Sequence, residues 1–174
     1  MSQEIQLKPV PIADKIDRVI KKIGHGISWV YVILIAVIIA QVIMRRGFSS
    51  GLIVLEELQW HLYAIGVMFG LAYAQATNAH VRVDVLSSHF SNRWKHIVEI
   101  VGICVFLLPF LYVIFYHSLD FVYEAFRSSE RSNAPSGLPY RWLIKSVIPM
   151  SIGFLMLASL NRLYREVVLL KRGE

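Results

Sequence analysis

Two short polar stretches of the chain carry residue types suited to chemistry. The first is Glu56-Glu57-Leu58-Gln59-Trp60-His61 and the second is His80-Val81-Arg82-Val83-Asp84, with an apolar segment between them. Partly desolvated carboxylates accept strong hydrogen bonds from arginine, and Arg45, Arg46 or an arginine of a partner chain would serve Glu56 and Glu57. Simple solvation at a helix N-terminus, where the dipole favours acids, is the other reading of the pair. In the second stretch His80, Arg82 and Asp84 alternate with valines, so an extended backbone puts all three on one side. In a helix His80 and Asp84 are still neighbours. Either way a His–Asp pair would fix a local turn or hold a loop of a partner. Metal binding by His80, Asp84 and His89 is open in principle, but no metal is assigned.

Histidines offer a second chemistry. His61 and His117 sit near one end of two apolar runs, and His25 and His96 near the opposite end. Histidines at matched depth on facing helices are what a haem b membrane anchor of a respiratory enzyme uses, and His61 with His117 is the alternative reading. A third pattern is Gly47-Phe48-Ser49-Ser50-Gly51, which matches the nucleophile elbow of hydrolases. That elbow needs a preceding strand and an α/β sheet to supply its partners. Apolar helices flank it here, so it reads as a polar turn and no catalytic residue is assigned.

The elements that would position these groups follow from composition. The 174 residues are 56% hydrophobic and 17% charged, against about 45–50% and about 25% in soluble domains. This is a membrane composition in one domain. The net charge of +6 is spread between apolar runs, which argues against nucleic acid and for topology-setting loops. The single cysteine, Cys104, excludes an intrachain disulfide.

Four apolar runs, at about 27–44, 58–76, 97–116 and 142–163, predict four transmembrane helices, since a span needs roughly 20 apolar residues. Ahead of them Ile12, Ile16, Val19, Ile20, Ile23 and Ile27 repeat by three and four opposite a basic face, which predicts an interfacial amphipathic helix within residues 1–26. Gly66, Gly70 and Ala74 give the second span one smooth face for close helix packing. Pro109 and Pro149 fall inside the third and fourth spans. Residues 118–141 form a long polar connection, with a first part able to extend the preceding helix. An N-terminus inside puts twelve lysines and arginines on the cytoplasmic side and six outside. The positive-inside rule therefore predicts both termini in the cytoplasm and the 118–141 connection in the periplasm.

Glu56-Glu57-Leu58, an apolar span, His80-Val81-Arg82-Val83-Asp84 and two further spans with an early proline in the last resemble the small membrane subunit of TRAP transporters, the DctQ-like family. Glu57-Leu58-Gln59-Trp60-His61-Leu62, with Leu138-Pro139-Tyr140-Arg141-Trp142 and Lys145-Ser146 later, is similar to the subgroup associated with 2-oxo acids and related carboxylates. The resemblance implies an all-α integral membrane protein of the bacterial inner membrane with no enzyme activity and no cofactor. It implies a periplasmic binding protein that captures an organic anion and a large, sodium-driven, elevator-type subunit that moves it. This chain would brace the large subunit and help dock the binding protein. Glu56, Glu57, Trp60, His80, Arg82 and Asp84 then become candidates for the large-subunit interface or for structural polar contacts. Arg45, Arg46, Arg127 and Arg131 become candidates for contacting the binding protein.

Overall fold

Helix is what this sequence dictates, because long runs of Ile, Leu, Val and Ala can satisfy their backbone in lipid only by internal hydrogen bonds. The computed structural model describes residues 9–48, 51–79 and 91–173, and it is all-helical there, with no strand among the described residues. The helices are α1 (Pro11–Gly47), α2 (Ile53–Ala76), α3 (Asn92–Val101), α4 (Leu108–Arg127) and α5 (Arg141–Arg172). A π-helical segment, Gly102–Leu107, joins α3 to α4 without a break. His80, Arg82, Asp84 and His89 lie outside the described residues.

Proline placement explains several boundaries. Pro11 opens α1 at a position where its missing N–H costs nothing. Pro109 would clash with the carbonyl of residue 105, and the widened π turn falls on that carbonyl. Pro149 is buried within α5, which continues through it. Gly173 ends α5 at φ +70°, a left-handed cap that a glycine adopts without steric cost.

The 37 residues of α1 make a helix of about 55 Å at ~1.5 Å per residue. The amphipathic segment and the first apolar run, expected as separate elements, are therefore one helix. Nothing between Pro11 and Gly47 breaks it, and Gly24 is covered by the Tyr73 ring of α2. The third apolar run is likewise part of a longer helix. Arg93–Arg127 spans 35 residues, so the connection expected over 118–141 shortens to residues 128–140.

Among the described residues three helices are long and apolar enough to cross a membrane: Pro11–Gly47, Arg93–Arg127 and Arg141–Arg172. The shorter α2 carries Glu56, Glu57, Gln59, His61 and Gln75, which dilute its apolar content. It packs between α1 and α5, with Glu56 facing Arg45 of α1 and Glu57 bound to the 128–140 connector. Tyr31 meets Gly66, and Gly24 meets Tyr73, so α1 and α2 run antiparallel.

The hub of the bundle is α5, which touches α1, α2, α3 and α4. Its Ile152, Leu155 and Ala158 meet Ile20 of α1, Ala72 and Ala76 of α2 and Leu111 of α4 in one core. Val10 and Ala13 pack on Leu169 in a second cluster, which ties the start of α1 to the end of α5.

Candidate functional site

Polar side chains gather at the two ends of this bundle. At the end holding the start of α1 and the end of α5, three helices are joined by ion pairs. Arg165 is 2% exposed and donates from Nη2 to Asp14 Oδ1 at 2.6 Å and to Asp17 Oδ2 at 2.8 Å. Asn161 Nδ2 donates to Asp17 Oδ1 at 2.7 Å and to the Ala13 carbonyl at 3.1 Å. These bonds lock α5 to α1. One turn away, Arg162 Nη2 lies 2.7 Å from Glu166 Oε1, and its Nε donates to Glu99 Oε1 at 3.3 Å. His96 Nδ1 meets Glu166 Oε2 at 2.5 Å. These bonds lock α5 to α3. Charges buried this deeply are costly unless paired, and each of Arg162, Arg165 and Glu166 has an oppositely charged partner on another turn or helix.

At the opposite end the 128–140 connector is a clasped loop. Ser129 and Tyr140 bracket it at φ 49° and φ 61°. Non-glycine residues persist in that left-handed region only when their surroundings hold them. Glu57 does much of the holding, accepting from the Ser132 hydroxyl and from the Leu138 N–H at 2.6 Å. The Ser132 hydroxyl, then the Leu138 N–H, hold the Glu57 carboxyl below its ordinary pKa of 4.5. A Cβ on Gly137 would meet Glu57 Oε1 at 2.8 Å, so glycine is what lets the loop close over the carboxylate. Glu130 pairs with Lys145, whose Nζ lies 3.9 Å from the Phe121 ring centroid, and Arg141 N–H donates to the Glu130 carbonyl at 3.2 Å.

Glu56 and Glu57 both lie near the start of α2, and the two acids do different things. Glu56 faces Arg45 at 3.5 Å across a largely exposed pair, a contact of at most about 1 kcal/mol. Glu57 instead binds a loop 75 and 81 residues away. Trp60 projects from α2, 68% exposed. Gly66 lies against the Tyr31 ring, where a Cβ would come within 2.5 Å, whereas Gly70 has open space beside it and Ala74 is half-buried. Arg45, Arg46, Arg127 and Arg131 are exposed. Asp14, Asp17, Asn161, Arg162, Arg165 and Glu166 were not singled out as a group. The visible signal was Asn161-Arg162 followed by Arg165-Glu166 at the end of an apolar run, where a buried helix face continues in polar residues.

The haem reading is not supported. His117 is exposed against Tyr116, His61 lies one turn from Glu57, His96 binds Glu166, and His25 Nδ1 lies 2.8 Å from the Lys21 carbonyl of its own helix. Among the described residues no three His, Cys, Asp or Glu side chains are grouped to hold a metal.

The family model for tripartite ATP-independent periplasmic transporters, DctQ component, matches residues 34–169. The chain belongs to the DctQ family. As a DctQ component it is the small membrane component of a TRAP transporter and a multi-pass membrane protein. Comparison with curated proteins gave no match. The match begins inside α1 and ends beside Glu166, so it contains the Glu57 clasp and the α5–α3 pairs, while Asp14 and Asp17 lie ahead of it.

Proposed function

We propose that this DctQ component is a fixed scaffold within a three-part, sodium-driven importer of an organic acid anion, with neither transport nor catalysis of its own. The observation that carries this reading is the use of the buried charge. Arg162, Arg165 and Glu166 are engaged by Asp14, Asp17, His96 and Glu99 of the same chain, so they fasten helices and do not line a path. Intramembrane ionisable groups that serve transport face a cavity or an ion route. Substrate choice, including any preference for 2-oxo acids, would then rest with the large membrane subunit and the periplasmic binding protein.

The reading includes a fourth span. The apolar 58–76 run of α2 reaches about 28 Å, close to a hydrocarbon core of about 30 Å. Four crossings return the chain to its starting side, in keeping with the joined ends of α1 and α5. The excess of lysine and arginine at that end supports a cytoplasmic location for both termini in a bacterial inner membrane. The clasped 128–140 loop then faces the periplasm with Arg127 and Arg131, where the binding protein would dock.

The test is purification of the tagged chain from its host in mild detergent, with mass spectrometry, an absorption spectrum and reconstitution. The expected result is a co-purifying large polytopic subunit, no Soret band, and uptake by the complete complex with none by this chain alone. Organic acid uptake by the isolated chain in liposomes would overturn the scaffold reading.

A further inference from the structure

A groove of about 230 Å³ runs between α1 and α2, lined chiefly by Gly24, His25, Tyr31, Gly66, Gly70 and Tyr73. Drug-sized ligands occupy pockets of about 300–1,000 Å³, so this space suits a slender apolar segment better. Helix packing leaves part of the small-residue motif unexplained. Gly66 is needed because Tyr31 lies against it, yet a Cβ on Gly70 would meet nothing within 4 Å. His25 and Ser28 on the groove wall are exposed, so the groove opens to the surroundings of the bundle.

Charge at the mouth identifies the occupant. Lys21, His25 and Ser28 follow one another at helical spacing, so Lys21 stands one turn beyond the groove on the same face, with Arg18 and Lys22 beside it. The acids of this part of α1, Asp14 and Asp17, are turned to Arg165 of α5. Among the described residues no carboxylate pairs with Arg18, Lys21 or Lys22. The fold thus sorts the mixed charges of α1, with acids inward and cations outward. From His25 to Arg45 the helix advances about 30 Å, the thickness of the hydrocarbon, which sets this basic rim at one membrane surface.

We propose that the groove holds one acyl chain of an anionic phospholipid of the cytoplasmic leaflet, its phosphate bound by Lys21, Lys22 and Arg18. Clusters of Lys and Arg on an interfacial helix attract such headgroups, and long lysine stems reach them from the helix surface. The bound lipid would fill the open side of the α1–α2 pair. This inference rests on the scaffold reading for its orientation, and the two are separable by experiment.

Native mass spectrometry of the complete membrane complex, extracted in mild detergent, is the test, with phosphatidylglycerol offered against phosphatidylethanolamine. Wild type should retain one phosphatidylglycerol in preference. Gly70→Leu, whose Cβ meets nothing within 4 Å and whose side chain occupies the groove, should lower retention of either lipid at least fivefold. Lys21→Gln with Lys22→Gln, an exposed and half-buried pair, should lower the preference at least threefold without abolishing lipid binding. Equal retention by wild type and Gly70→Leu would overturn the proposal, as would an unchanged preference in the lysine variant. A Gly70→Cys variant that cross-links to the large subunit would overturn it too, by showing a partner helix in the groove. Co-purification of the large subunit reports separately on the scaffold reading.

Discussion

Glu57 shows how one carboxylate organises an otherwise irregular loop. It stands just ahead of the apolar 58–76 run, and its two acceptor oxygens are taken by Ser132 and Leu138. Both bonds favour the ionised form, so the folded pKa is lowered below 4.5. A depressed carboxylate contributes its full stabilisation above its unfolded pKa and loses it as pH falls through the folded value. Protection of the Leu138 amide, measured against its intrinsic exchange rate at each pH, should therefore be high at neutral pH and fall only in acid below the ordinary glutamate range. Glu57→Gln should remove that acid-dependent step and leave the 128–140 amides less protected at pH 7. Unchanged protection in the variant would mean the loop is held by Glu130 and Lys145 alone. Arg45 with Glu56, by contrast, is an exposed pair whose removal should change little.

At the scale of elements, the small-residue face of α2 divides in two. Gly66→Ala places a Cβ 2.5 Å from the Tyr31 ring, and overpacking of this kind costs about 1–3 kcal/mol. Gly70→Ala meets nothing and gains helix propensity worth up to about 1 kcal/mol. Thermal unfolding of the two variants in detergent should move in opposite directions. Equal shifts would mean that the α1–α2 contact is looser than its geometry. Hydropathy alone revealed the apolar runs and hence the helices that cross, because that pattern is local. It did not reveal that α1 is continuous, since a change from amphipathic to uniformly apolar composition marks a change of surroundings, not a helix end. Nor did it reveal which glycine is packed, because G-x-x-x-G specifies a face and not the depth at which a neighbour's Tyr31 arrives. The partners of Glu57 and Arg165 were hidden for the same reason: each is fixed by the rotation and depth of two distant helices.

Across the whole molecule, α5 holds the other helices by an apolar core in its middle and by charge in its last turns. Arg165→Met would strand Asp17, which is 13% exposed, beside an apolar side chain. Breaking a buried pair from one side costs about 3–5 kcal/mol, and the more exposed Asp14 places the expected loss at the lower end. Adding Asp17→Asn should recover a good part of it, since an amide oxygen can still accept from Asn161 Nδ2. Equal unfolding midpoints for Arg165→Met and wild type would show that the core alone joins α1 to α5.

The same pairs turn topology into a measurable consequence of the fold. Asp14 with Arg165 puts the start of α1 and the end of α5 at one end of the bundle, and Glu57 with Ser132 and Leu138 puts the connector at the other. Orientation then reduces to one choice, and the proposed one follows the described lysines and arginines, ten at the terminal end against six at the connector end. Cys104 is the chain's single cysteine, so Cys104→Ala gives a clean background. Ser136→Cys should then react with a membrane-impermeant maleimide once the outer membrane is opened, and Lys171→Cys only after the inner membrane is broken. The reverse pattern would turn the molecule over. Arg127 and Arg131 would then face the cytoplasm and could not meet a periplasmic binding protein, while the fold and its ion pairs would stand unchanged.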